Sequence, residues 1–192
     1  MARVTACLFG VFVTAVALIV PAQRAVAAPT PPQDFVAGSG EAGLFEDISF
    51  AASSDPLGGS ANGVVSFVIE IPIRPPFVAP VFFSGPVTCL AVDGNRAVIG
   101  FTSFIGPMKV VVADSGSTGS PGDDVFGVTV RATDCSNESG VGVFPLSFGD
   151  IVVRDAPSKA QCKDGGWRNY TDAAGRPFSD QGQCIAFALG AA

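Results

Sequence analysis

The chain has 192 residues, with 11 Lys and Arg against 17 Asp and Glu, a net charge of −6 and no histidine. An acidic surface repels phosphate backbones, so nucleic acid is not an expected partner. The missing imidazole removes the Ser-His-Asp and Cys-His catalytic sets and the most frequent zinc ligand, and no cofactor is expected.

Met1, Ala2 and Arg3 form a short basic start, residues 7–22 a nearly continuous apolar run, and Ala25-Val26-Ala27 a small-x-small cleavage site. This pattern predicts a secretory signal peptide over residues 1–27. The apolar run is shorter than the ~20 residues of a membrane span, and Pro21 and Arg24 close it, so no span is expected in the mature chain. Cys7 stands at the start of the apolar run, not after it, where a lipid-attachment cysteine would lie. Arg3 and Arg24 leave with the leader, which takes two of the eleven cations and moves the net charge from −6 to −8. Arg outnumbers Lys and the chain is rich in Ala, Gly, Val and Pro, a composition that suggests a GC-rich bacterial genome.

Residues 28–43 read as an extended N-terminal segment with a proline-rich start. From Leu44 the apolar residues come in short β-branched and aromatic runs at 44–51, 64–71, 77–83, 87–92, 97–104, 109–113, 125–132 and 141–153, separated by Gly, Pro, Asn and Asp. That punctuation predicts an all-β domain over residues 44–156, a sandwich or barrel of about eight antiparallel strands. The clearest hairpin turns at Asp93-Gly94-Asn95-Arg96. The density of Pro72, Pro75, Pro76 and Pro80 excludes a central strand and predicts an edge or an irregular crossing.

Four cysteines remain after the leader: Cys89, Cys135, Cys162 and Cys184. In an exported chain an even count favours two disulfides. Three pairings are open, and the sequential one is favoured because Cys162 and Cys184 bracket their own motif. A four-thiolate zinc site is disfavoured, since no two cysteines stand two to four residues apart. The segment 157–192 then reads as a small disulfide-closed module. Inside its loop lie Trp167, Tyr170 and Phe178, which would serve either as its miniature core or as an aromatic platform for a partner.

Acidic residues supply the remaining candidates. The loop from Asp114 to Asp124 gathers three carboxylates and several hydroxyls, oxygen ligands of the kind calcium prefers, but its spacing fits no EF-hand and its composition is that of a polar turn. Glu41, Glu46, Asp47 and Asp55 are candidate carboxylates for glycoside hydrolysis, which needs two acids across a cleft.

Two resemblances follow from these residues. The tail from Ser158 through Cys162-Lys163-Asp164-Gly165-Gly166-Trp167, with Phe178 and Gln181-Gly182-Gln183-Cys184, resembles one shared by many secreted actinobacterial proteins, for which no catalytic role is known. The segments 85–100, 111–116 and 122–126, with a Val-Thr-Cys strand, an Asn-x-Ala-x-Ile-Gly strand and an Asp-x-Phe step, resemble the post-COAP β-domain of secreted bacterial proteins. These resemblances imply fold and compartment rather than an activity. The expected function is a secreted, extracellular or envelope-associated binding or structural module without enzymatic activity, with cell-wall polysaccharide or an extracellular protein as partner. The alternative is a secreted hydrolase that uses acidic residues, supported by calcium.

Overall fold

The computed structural model describes residues 32–74, 77–116, 123–131, 134–136 and 141–190. The expected leader, Cys7 and the start of the proline-rich segment lie outside them. Nine strands follow one another: β1 Asp34–Ala42, β2 Phe45–Ser54, β3 Asn62–Arg74, β4 Phe77–Asp93, β5 Arg96–Ser103, β6 Gly106–Ala113, β7 Val125–Val130, β8 Val143–Pro145 and β9 Phe148–Arg154. All pair antiparallel in the order β8-β7-β6-β5-β4-β3-β2-β1-β9. The first eight form a meander, and the ninth crosses to the far edge to pair with β1. Only Leu146 and Ser147 separate β8 from β9, so residues 143–154 link the two edges and the sheet curls into a half-barrel.

Alternation puts one face of each strand inside. Phe67 sits at the centre of the core, 5.1 Å from Phe83 in a stacked pair and 5.7, 5.9 and 6.1 Å from the edge-on rings of Phe45, Phe126 and Phe101. Each of these aromatics contributes about 3 kcal/mol at most through its buried area, plus a fraction from ring geometry. Val36, Ile48, Val65, Leu90, Ile99, Val110 and Ile151 fill the space around them.

The all-β expectation holds, with nine strands in place of about eight. The extended N-terminal segment contributes β1, a full member of the sheet; Gly38, Ser39 and Gly40 interrupt its apolar alternation and hide it from a pattern search. The expected strands at 77–83 and 87–92 are one strand, β4. Its Ser84-Gly85-Pro86 looks like a turn, but Gly85 is there for close approach, since a Cβ on it would lie 1.8 Å from the Thr102 carbonyl oxygen. The run 141–153 divides into β8 and β9 at the buried Leu146. The hairpin between β4 and β5 turns at Gly94 and Asn95, with Asp93 opposite Arg96, as expected. The prolines also stand where they were expected: the Phe77-to-Pro86 half of β4 pairs with β3 alone.

The cysteines pair sequentially. Cys89–Cys135 clamps the outer face of β4 and β5 with a Cα separation of 6.1 Å, and Cys162–Cys184 closes the tail with 5.7 Å. The tail carries a 3-10 turn, Gly166–Asn169, and an α-helix, α1 Gln181–Ala188. The helix was not expected from composition. Its start is capped by Asp180, whose carboxylate accepts the Gln183 backbone N–H at 2.9 Å, while the Gln183 side chain reaches back to the Ser179 N–H at 2.7 Å. That is a capping box displaced by one residue. Among the described residues no helix is long and apolar enough to cross a membrane.

Candidate functional site

The three aromatics of the cysteine module have separate fates. Phe178 is buried against Cys162 and Cys184 and packs on Phe187, with ring centroids 5.3 Å apart. It is core. Trp167 and Tyr170 lie partly buried around that core. The Arg168 guanidinium stands 4.6 Å above the Trp167 ring and covers one of its faces, a cation–π contact that leaves little room for a stacked ligand on that face. Tyr170 instead turns toward the barrel.

There the module and the strand ends enclose an open cleft of about 450 Å³, lined among others by Gly94, Arg154, Asp155, Asn169, Tyr170 and Thr171. Local structure fixes each wall. Thr171 forms a short antiparallel bridge with Pro177. Asp172 ties the turn that follows, its carboxylate accepting the N–H groups of Ala174 and Arg176 at 2.9 Å each and the Arg176 Nε at 2.8 Å. Asp155, immediately after β9, accepts the Gly94 N–H from the β4–β5 turn at 2.9 Å. The junction is anchored beneath the cleft by Asp34 of β1. Asp34 is 3% exposed, and its carboxylate accepts the Ala156 N–H at 2.9 Å.

The electrostatics of this junction follow from crowded acids. Burial pushes the Asp34 carboxyl up to about 6; the Ala156 hydrogen bond opposes the shift, and the negative charges of Asp155 and Asp55 add to it. Burial likewise raises Asp155, with the Gly94 N–H opposing and Asp93 reinforcing. Burial and then Asp155, Asp93 and Asp34 lift the Tyr170 phenol above its ordinary range, so its hydroxyl stays protonated and available as a donor. Asp172 is held low by its Arg176 partner and by backbone N–H groups. A phenol donor, an amide at Asn169 and a carboxylate at Asp155 around an open cleft suit a ligand rich in hydroxyl groups and unsuited to strong negative charge.

The acidic loop has a different task. Asp124 is 5% exposed, and its carboxylate accepts the backbone N–H of Ile151 at 2.8 Å and of Ser115 at 2.9 Å. Asp114 accepts the N–H of Val153 at 3.1 Å and of Gly116 at 2.6 Å. Two of the three carboxylates counted as calcium ligands thus close the free side of β9. Among the described residues no group of three or more Asp, Glu or Cys is placed to hold a metal ion. The other candidate acids divide between the two ends of the sheet. Asp55 caps the β2–β3 loop through the Leu57 and Gly59 N–H groups, each at 2.9 Å. Glu41, Glu46 and Asp47 belong to the opposite end, where β1 meets β2.

Sequence reasoning named Tyr170 but missed Asp155 and Asp34, which no local motif distinguishes from surface residues. Compared with known protein families, curated proteins and solved structures, the chain matches none.

Proposed function

We propose that the chain is a secreted β-domain protein whose cysteine module holds an extracellular ligand against the base of the barrel, a binding or structural module rather than an enzyme. The observation that carries this reading is the shared cleft in which the Tyr170 hydroxyl and the Asp155 carboxylate line one open surface between two disulfide-stapled units. Two disulfides fit an oxidising compartment, and the apolar leader and the actinobacterial character of the tail support export from a bacterial cell. A neutral polysaccharide of the cell wall fits the cleft best, because an acidic chain with crowded carboxylates at this junction disfavours anionic ligands.

The alternative, a hydrolase using acidic residues, would draw on Asp155 and Asp172, which share the cleft and are shifted in opposite directions. Pairs of this kind serve as acid and base in hydrolases. Here Asp172 is occupied by three N–H donors and Asp155 by the Gly94 amide, so binding is the better-supported use. Calcium support is weakened in the same way, by the structural use of Asp114 and Asp124.

Pull-down on insoluble cell-wall polysaccharide tests the reading. The chain from Ala28 should be retained and Tyr170→Ala should weaken retention roughly tenfold, the value of one lost aromatic contact with its hydrogen bond. Release of soluble sugar that disappears in Asp155→Asn would establish the hydrolase instead.

A further inference from the structure

The end of the barrel away from the cysteine module carries a group of exposed apolar side chains, and its longest feature is the β3–β4 hairpin. β2 last pairs with β3 at Ile69, and β3 runs on to Arg74 with only β4 beside it. Five residues at ~3.3 Å each, shortened by the irregularity between Pro72 and Arg74, make an arm of about 15 Å beyond the last β2 contact. Ile71, Ile73, Phe77 and Val78 on this arm, and Phe82 at its foot opposite Val68, are each 46–70% exposed. By alternation Ile71, Ile73 and Phe77 continue the core-facing row, while Pro72, Val78 and Pro80 stand on the other with Phe82 and Glu70 at its base, so both faces of the ribbon beyond Glu70 are apolar. The adjoining β5–β6 turn adds Phe104 and Ile105, 70% and 53% exposed, with Phe104 stacked on Phe83 at 5.4 Å.

Three observations select the occupant. A strand of another protein, or of a second copy, would add to the free edge of β4 or of β3, but Pro80 on β4, opposite Glu70, and Pro72 on β3, opposite Val78, offer no N–H, which suits edges protected from pairing. A groove in a protein would cover one face of the ribbon, whereas both faces here are apolar; a lipid phase surrounds both. The length fits as well, because ~15 Å exceeds the headgroup layer and reaches the hydrocarbon. Charge narrows the lipid further. Residues 71–83 contain Arg74 and no acid, while at the foot of the arm Glu41, Glu46, Asp47 and Glu70 form a carboxylate collar, in which Glu70 is the main cause of a raised Glu46 carboxyl. Such a collar repels anionic headgroups and sits comfortably beneath the outward ammonium of a zwitterionic lipid.

We propose that the β3–β4 arm, with Ile71, Ile73, Phe77 and Val78, inserts into the interface of a zwitterionic lipid surface and holds the barrel there with its cysteine module turned outward. The site is separate from the Tyr170 cleft, and either reading stands without the other.

Flotation of the chain from Ala28 with phosphatidylcholine vesicles tests this. The chain should float with the vesicles, and a double variant with Ile73→Asp and Phe77→Asp should lower the bound fraction roughly tenfold or more. Both positions are exposed, so circular dichroism and the melting temperature should stay unchanged. Tyr170→Ala should float like the parent, and vesicles mixed with phosphatidylglycerol should bind less. A Phe77→Trp chain in a Trp167→Phe background should show a blue-shifted emission on adding vesicles. Absence of flotation, flotation that survives the double variant, or a dimer in analytical ultracentrifugation that the double variant abolishes would overturn the proposal, the last by assigning the arm to a second copy.

Discussion

The Asp124 carboxylate accepts the backbone N–H of Ile151 at 2.8 Å across 27 residues of sequence. Asp114 does the same for Val153 across 39 residues. β9 has β1 on one side and these two side chains on the other, so the free edge of the curled sheet is satisfied by carboxylates where no strand is available. Asp124→Ala would leave the Ile151 and Ser115 N–H groups without their charged acceptor and should cost about 2 to 4 kcal/mol. Urea unfolding should show a lower midpoint with an unchanged slope, and Asp124→Asn, which keeps one acceptor oxygen, should lose less. A loss for the alanine variant below about 0.5 kcal/mol would refute the closing role. Millimolar calcium should leave the melting temperature in place, and a rise of several degrees would restore the acidic loop as a metal site.

Asp34 makes the fold more stable in mild acid. Its native carboxyl titrates at about 6 against an ordinary 3.8, so the native state binds the proton more tightly than the unfolded chain. Stability therefore increases as pH falls from 7 through 6 and is fully gained near 4, by up to about 3 kcal/mol. Asp155 is shifted the same way and adds to the trend. Asp34→Asn keeps an acceptor for the Ala156 N–H and carries no charge; its stability should vary less between pH 4 and 7 and exceed the parent at pH 7. An unchanged pH profile would show that Asp34 is not the titrating group.

Gly100 makes room for the barrel disulfide. A Cβ there would lie 2.5 Å from the Cys89 sulfur and 3.2 Å from that of Cys135, and the Gly100 N–H donates to the Cys135 sulfur at 3.1 Å. Gly100→Ala should displace the bridge and destabilise the oxidised protein by about 1 to 3 kcal/mol, with a smaller effect after reduction. Non-reducing peptide mapping of the parent should recover Cys89 with Cys135 and Cys162 with Cys184. Equal destabilisation of oxidised and reduced chains would separate Gly100 from the disulfide.

The parts of this molecule legible in the sequence are those fixed by neighbours along the chain. Runs of Val, Ile and Phe mark β2, β3, β5, β6 and β7 because each meets the phenylalanine core, and β5 and β6 are also covered on their other face at Val98 and Val111. Gly94 and Asn95 mark their turn by conformation, and the prolines of the arm mark an edge because they carry no N–H. The bracketed cysteines mark the tail. The rest is made by groups distant in sequence. Asp34 meets Ala156 across 122 residues, and nothing near Asp34 distinguishes it from a solvated carboxylate. β1 was hidden by its glycines. The helix α1 had a readable signal in Asp180-Gln181-Gly182-Gln183, obscured by glycine at its second position. Tyr170 was legible as a candidate, but the cleft beside it depends on β9 ending where the β4–β5 turn arrives.

The account rests most heavily on that cleft. Isothermal titration of the disulfide-intact chain with soluble neutral oligosaccharides from the cell wall addresses it directly. Saturable heat is predicted for the parent, with several-fold weaker binding for Tyr170→Phe, which loses the hydroxyl alone, and roughly tenfold weaker binding for Tyr170→Ala. Equal affinity in the parent and Tyr170→Ala, or no binding by the parent, would contradict it.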